Sequence, residues 1–296
     1  MDIRFLESFV VVVDCGSIAG AARRLNLTSA ALAQRLRKLE QDLGHALVMR
    51  AGRTVQPTAS GLAVLDHARL LIESARDLRA IAAQGEPAGQ LRLGAVATAL
   101  TGLLPDIIAR LRDRHPKIEY HIQPGSSVDL YQAVTSGAMD AALIVRPQFP
   151  VPKSTGWLTL RQEPLVLITP EDTVLNDPAT LIRHLPFIRY DRNQWGGQIV
   201  DQYLRTHALQ VHEWLELDAL DAIAGLVSRG LGVAIVPDWA PPWPAGLRLR
   251  KIALPEAGAR QTGVLWNRSG ARISAMQAFV DACRDHSKDA DLMVND

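Results

Sequence analysis

The first sixty residues repeat their apolar positions at helical spacing in three short blocks. Phe5, Leu6, Phe9, Val10 and Val13 mark one face of an opening helix that Gly16 ends. Ser17 is placed to cap a second helix with Ile18, Ala21, Ala22 and Leu25 inward, the alanines being small enough to admit a neighbouring helix, and Asn26 closes it. Thr28 caps a third, whose buried stripe is Leu32, Leu36, Leu39 and Leu43 and whose stop is Gly44. Leu47, Met49 and, past Gly52, Val55 then alternate as in a two-stranded wing. From Thr58 to about Gln84 the spacing is helical again. Leu65, Ala68, Ile72 and Ala75 form its stripe, flanked by Leu62, Leu71 and Leu78, on a rod about 40 Å long at 1.5 Å per residue. Either a second copy of the chain or the chain's own second half can cover that stripe.

Gly85-Glu86-Pro87-Ala88-Gly89 breaks the pattern. Apolar runs then alternate between strand and helix length. Leu91 and Leu93 start a strand, Leu103 to Leu111 a helix, Ile118 to Ile122 a strand, Val128 to Val134 a helix, and Ala141 to Val145 a strand. A second unit has strands at 165–168, 187–188, 214–217 and 233–236 and helices at 199–204 and 219–228, and a late helix at 273–283 returns to the first unit. Such alternation predicts a parallel sheet with crossover helices. The chain therefore reads as an α+β multidomain protein. Residues 1–58 are a winged helical head with a helix-turn-helix at about 18–37, and 59–89 are a linker helix and hinge. Residues 90–285 form a two-lobed α/β domain, lobe 1 at about 90–161 and 268–285 and lobe 2 at about 162–267. Residues 286–296 are a polar, loose tail.

Composition changes the picture only locally. An apolar fraction of 48% with 21% charged residues fits packed domains, and a formal net charge of +1 predicts no polyanion partner. Between residues 20 and 60, however, seven basic residues (Arg23, Arg24, Arg35, Arg37, Lys38, Arg50 and Arg53) face only Glu40 and Asp42. A local excess of that sign supplies phosphate affinity that falls with salt. The outer face of the third helix offers Ser29, Ala30, Ala33, Gln34 and Arg37 to a groove, with Lys38 beside them and Arg53 near the wing tip.

Residues 1 to 61 resemble the winged helix-turn-helix of LysR-type transcriptional regulators. The likeness rests on Phe9-Val10, on Gly16 to Leu25, on Leu39 to Gly44, on Leu47-Val48-Met49-Arg50, on Gly52-Arg53 and on Thr58-Ala59-Ser60-Gly61. The chain departs from the family where bases are read: Thr28-Ser29-Ala30-Ala31 and Ala33-Gln34 stand where Ser-Gln-Pro-Ala and Ser-Arg are common. Gln and Arg read adenine and guanine edges bidentately, so these departures predict a shifted operator. Gln34 still addresses a base edge, Ala30 and Ala33 can touch thymine methyls, and Thr28 can hold a phosphate. Residues 90 to 285 resemble the effector domain of the same family, which has the fold of periplasmic binding proteins. The markers are Leu91-Arg92-Leu93-Gly94, Leu104-Pro105, His115-Pro116, Gly137-Ala138-Met139-Asp140 and Gly230 to Pro237. The resemblance implies a double-stranded DNA operator and a small-molecule effector as partners, a homodimer assembled into a homotetramer, and RNA polymerase as a candidate partner.

Ligands of open α/β sheets sit beyond the carboxyl ends of strands, where helix N-termini face the crevice. Thr98 and Thr101 lie between the first strand and the next helix, Ser126 and Ser127 precede another, and Arg146 follows the strand ending at Val145. From the other lobe, the run Tyr190 to Trp195, including Arg192, forms a loop, and Asp218 opens a helix. Hydroxyls, free amides and a guanidinium together favour a small anion, most simply a carboxylate.

The two cysteines, Cys15 and Cys283, fall in different domains and suit neither a disulfide framework nor a metal site, which predicts a reduced, cytoplasmic protein without cofactor or metal. No signal peptide opens the chain and no apolar run approaches a membrane span. The rival from another class is an enzyme, a hydrolase or ligase fused to a DNA-binding head. No nucleophile and base can be named together for it.

Overall fold

The computed structural model describes residues 1–52, 54–82, 87–269 and 272–294. It comprises two compact units, 1–84 and 85–296.

In the first unit, α1 (Ile3–Cys15), α2 (Ile18–Arg24) and α3 (Ser29–Leu43) enclose a core of Leu6, Phe9, Val12, Ala21, Ala22, Leu32, Leu36 and Leu39. The expected caps are made. Ser17 accepts from Gly20 N and Thr28 from Ala31 N, while Gly44 takes the left-handed conformation that lets the chain leave α3. Leu43, expected inside, is 37% exposed, because the stripe has rotated off the core by the last turn. The wing is β1 (Val48–Ala51) paired antiparallel with β2 (Thr54–Pro57), and Val55 N donates to Gly16 O to moor it against the end of α1.

The long helix α4 (Ala59–Ala82) corrects one expectation. Leu65, Ala68 and Ile72 pack into the unit's own core, because α1 is apolar on more than one side and contacts α4 as well as α3. Among its described residues, the large apolar side chains left open are Leu62, Leu70, Leu71 and Leu78.

The second unit runs β3 (Gly89–Ala95), α5 (Ala97–Gly102), α6 (Leu104–Arg114), β4 (Ile118–Pro124), α7 (Ser127–Thr135) and β5 (Ala141–Val145), followed by the long strand β6 (Thr155–Pro170). It continues with α8 (Pro178–His184), β7 (Pro186–Tyr190), α9 (Trp195–Thr206), β8 (His212–Leu217), α10 (Leu220–Val227), β9 (Ala234–Pro237), β10 (Leu249–Ala253), β11 (Ala259–Asn267) and α11 (Ile273–Val294). Parallel pairing holds for β3 with β4 and β5, and for β7 with β8. The sheet is mixed rather than purely parallel: β6, β9, β10 and β11 pair antiparallel, in the order β10-β6-β11-β5-β3-β4 with β9 also on β6.

Two lobes follow from the cores. One gathers Leu91, Leu93, Ile107, Leu143, Val264 and Phe279, and the other Leu167, Ile168, Phe187, Ile223 and Ile235. The strand β6 runs from one core to the other, Leu160 lying in the first and Leu165 in the second. The return occurs inside β11, where the register shifts between Thr262 and Gly263, and not at residue 268. The end of the chain is also corrected: α11 continues to Val294, held by Arg114 Nη1 to Asp285 at 2.8 Å and Arg110 Nη1 to Asp289 at 2.5 Å, so residues 286–294 are helical rather than loose.

Candidate functional site

The outer face of α3 is built by its own stripe. With Leu32, Leu36 and Leu39 inward, Ser29, Ala30, Gln34, Arg37 and Lys38 are left exposed and Ala33 half-buried. Thr28 is exposed at the N-terminus, where its hydroxyl accepts from Ala31 N and retains its own proton to donate. The two local acids are both engaged. Glu40 accepts from Leu47 N at 2.8 Å, fixing the entry to the wing, and Asp42 lies 3.3 Å from Lys38 Nζ. Lys38 is thus tied along the helix, and Gln34 and Arg37 are the freer groups. Arg53 lies outside the described residues.

In the second unit a cavity of about 140 Å³ opens between the lobes. Of the residues singled out above, Thr98, Ser126, Ser127, Trp195 and Asp218 line it. Three do not. Thr101 lies on the far side of α5, its hydroxyl bonded to Ala97 O; the end of the first strand leads into a short helix that sequence spacing did not resolve. Arg146 is exposed and donates to Gln261 Oε1 at 2.8 Å. Arg192 is held by Glu216 at 3.0 Å and by Glu213, on the β7–β8 side.

The guanidinium in the cavity belongs instead to Arg260. It is 2% exposed, donates from Nε to Glu163 Oε2 at 2.6 Å and from Nη2 to Thr98 Oγ1 at 3.0 Å. Burial works against its charge, and Glu163 with Tyr190 more than offsets that. Thr262 Oγ1 also donates to Glu163. Thr98 and Ser127 each accept one bond, Ser127 from Val145 N at 3.1 Å, so each buried hydroxyl retains a proton to donate. The helices α9 and α10 begin at the cavity with no side-chain cap on their first-turn amides. Gly197 lets α9 come this close: a Cβ there would lie 1.9 Å from Asp191 O. Asp218 stands at the mouth, its carboxyl pushed up to about 6 by burial first and by Asp191 second, against the pull of Arg260. Trp195 crosses the gap, its ring 5.7 Å from that of Tyr131 on the first lobe.

Among the described residues no group of three His, Cys, Asp or Glu side chains is placed to hold a metal, and no helix is long and apolar enough to cross a membrane. Burial pushes the Cys283 thiol up, which disfavours a reactive thiolate.

Comparison with known proteins agrees with this geometry. Residues 3–62 match the family described as bacterial regulatory helix-turn-helix protein, lysR family, and residues 84–288 match the LysR substrate binding domain. The chain is 30% identical over 289 residues to the HTH-type transcriptional regulator IlvR of Caulobacter vibrioides, covering 92% of this chain and 94% of that one. It is 32% identical over 284 residues to a probable hydrogen peroxide-inducible genes activator of Mycobacterium avium, covering 90% and 88%. Full-length CbnR, solved in complex with its target DNA, has the same fold, with a TM-score of 0.68 at 19% identity over 97% of this chain and all of that one. Two family models in this order, with relatives that are regulators rather than enzymes, identify the chain as a member of the LysR family of DNA-binding transcriptional regulators with an effector-binding domain.

Proposed function

We propose that this regulator reads a roughly two-fold operator with α3 from two copies of the chain and responds to a small carboxylate held between the lobes of residues 87–269. The observation that carries the effector reading is the meeting of buried donors at one cavity: the hydroxyls of Thr98 and Ser127 and the uncapped first turns of α9 and α10. A ligand bound to both lobes favours the closed cleft, and by linkage the DNA arrangement that goes with it. The exposed leucines of α4 support a dimer, and a homotetramer of such dimers in the cytoplasm, acting on RNA polymerase at its promoters, is the form we assign. Candidate base readers are Ser29, Ala30, Ala33, Gln34 and Arg37, with Thr28, Lys38 and Arg53 on phosphates.

DNase protection of the gene's own upstream fragment by the full-length protein, with and without a panel of small carboxylates, tests this reading. A footprint that survives random competitor DNA and changes with one carboxylate is expected, and Ser127→Ala should remove the change while leaving the footprint. Equal binding to random DNA overturns the operator assignment; a response that survives both Ser127→Ala and Thr98→Val overturns the cavity assignment.

A further inference from the structure

The two walls of the interlobe cavity differ in charge. On the first lobe Thr98 and Ser127 offer hydroxyl protons, with no charged side chain among the lining residues of that lobe. The buried Arg260 adds no net positive charge, since Glu163 neutralises it at 2.6 Å. On the second lobe Asp218 receives no hydrogen bond from the described residues. It is not a helix cap either, because α10 is preceded by Ala219 and has no side-chain cap bond. The like charge of Asp191 raises the cost of its ionisation. A plain anion in this space would sit beside an uncompensated carboxylate, and a plain amine would leave the opposite donors unmatched. Val96, Val145 and Leu220 supply apolar surface between the walls. The volume is that of about five water molecules.

We infer that the ligand is a zwitterion of the 2-amino acid class, its carboxylate received by the hydroxyls of Thr98 and Ser127 and its ammonium by Asp218. This inference rests on the effector reading above and narrows it.

Isothermal titration of the full-length protein with L-amino acids, their 2-hydroxy acid counterparts and the corresponding amines tests it. At least one amino acid should bind, at least tenfold tighter than its hydroxy acid. Asp218→Asn should weaken that amino acid about tenfold or more and leave the hydroxy acid within about threefold. Proton release on binding reads the same contact in the unaltered protein. Asp218 is surrounded by Asp191, Asp221, Tyr190 and Arg260, and an ammonium docked on it at pH 6 displaces its proton. Hydroxy acids binding as tightly as amino acids, with Asp218→Asn without effect and no proton released, would overturn the zwitterion and leave the anionic effector standing. Failure of every amino acid to bind also overturns it, and a footprint response to another carboxylate then keeps the two readings apart.

Discussion

Arg260 and Glu163 face each other as direct partners across β11 and β6, joined at 2.6 Å, with only 2% and 1% of their side chains exposed. Removing one member of such a pair strands the other's charge in the interior. Glu163→Gln or Arg260→Met should each lower the stability of the second unit by about 3–5 kcal/mol. The double substitution should cost clearly less than the sum of the two. Urea unfolding of the full chain, followed by circular dichroism, measures this; additive losses would mean that the pair is not coupled.

Asp218 makes stability depend on pH in an unusual direction for a carboxylate. Its folded value, about 6, lies above the ordinary 3.8, so the folded chain holds a proton that the unfolded chain releases. The contribution is complete below about pH 4, is lost as the pH rises to 6, and at neutral pH the charged carboxyl weighs against folding. Because the group stands at the cavity mouth, solvent screening reduces the effect to the order of 1 kcal/mol. Without ligand, Asp218→Asn should melt higher than the parent at pH 7 and alongside it near pH 4. Identical melting at both values would contradict the assignment.

On α3, Gln34 is exposed and bears an amide of the kind that can read a base edge. Gln34→Ala should cost about 1–3 kcal/mol on the matched operator and little on scrambled duplex. An equal loss on both removes it from base reading. Arg37→Ala, if Arg37 meets phosphate, should weaken both duplexes alike and lower the salt slope by about one.

Along α4 the two sets of leucines should separate cleanly. Leu71→Glu with Leu78→Glu lies on the open side and should yield a folded monomer in sedimentation. Ala68→Glu faces the core of the first unit and should instead unfold that unit. A dimer that persists with both outer substitutions excludes this face as the interface.

How far the sequence reached follows from what periodicity can see. Helices α1 to α4 and strands β3, β5 and β9 are runs whose apolar spacing alone defines them, and their caps at Ser17, Thr28 and Gly44 are local chemistry. The side of α4 facing its own unit was not legible, because a stripe records that something covers it and not what. Thr98, Ser126, Ser127, Trp195 and Asp218 were reachable by the rule that ligands sit beyond strand ends. Arg146 obeyed the same rule and failed, since a strand end fixes position but not direction. Arg260 was missed because its meaning depends on pairing with Glu163, about a hundred residues away. The one local sign of it was a lone charge in the largely apolar strand β11.

The return of β11 to the first lobe through the break at Thr262 and Gly263 sets those residues, Arg260 and Glu163 where the chain passes between the lobes. Of these, Arg260 also lines the cavity, so a molecule held there would touch a side chain at the crossing itself, with no intervening lever.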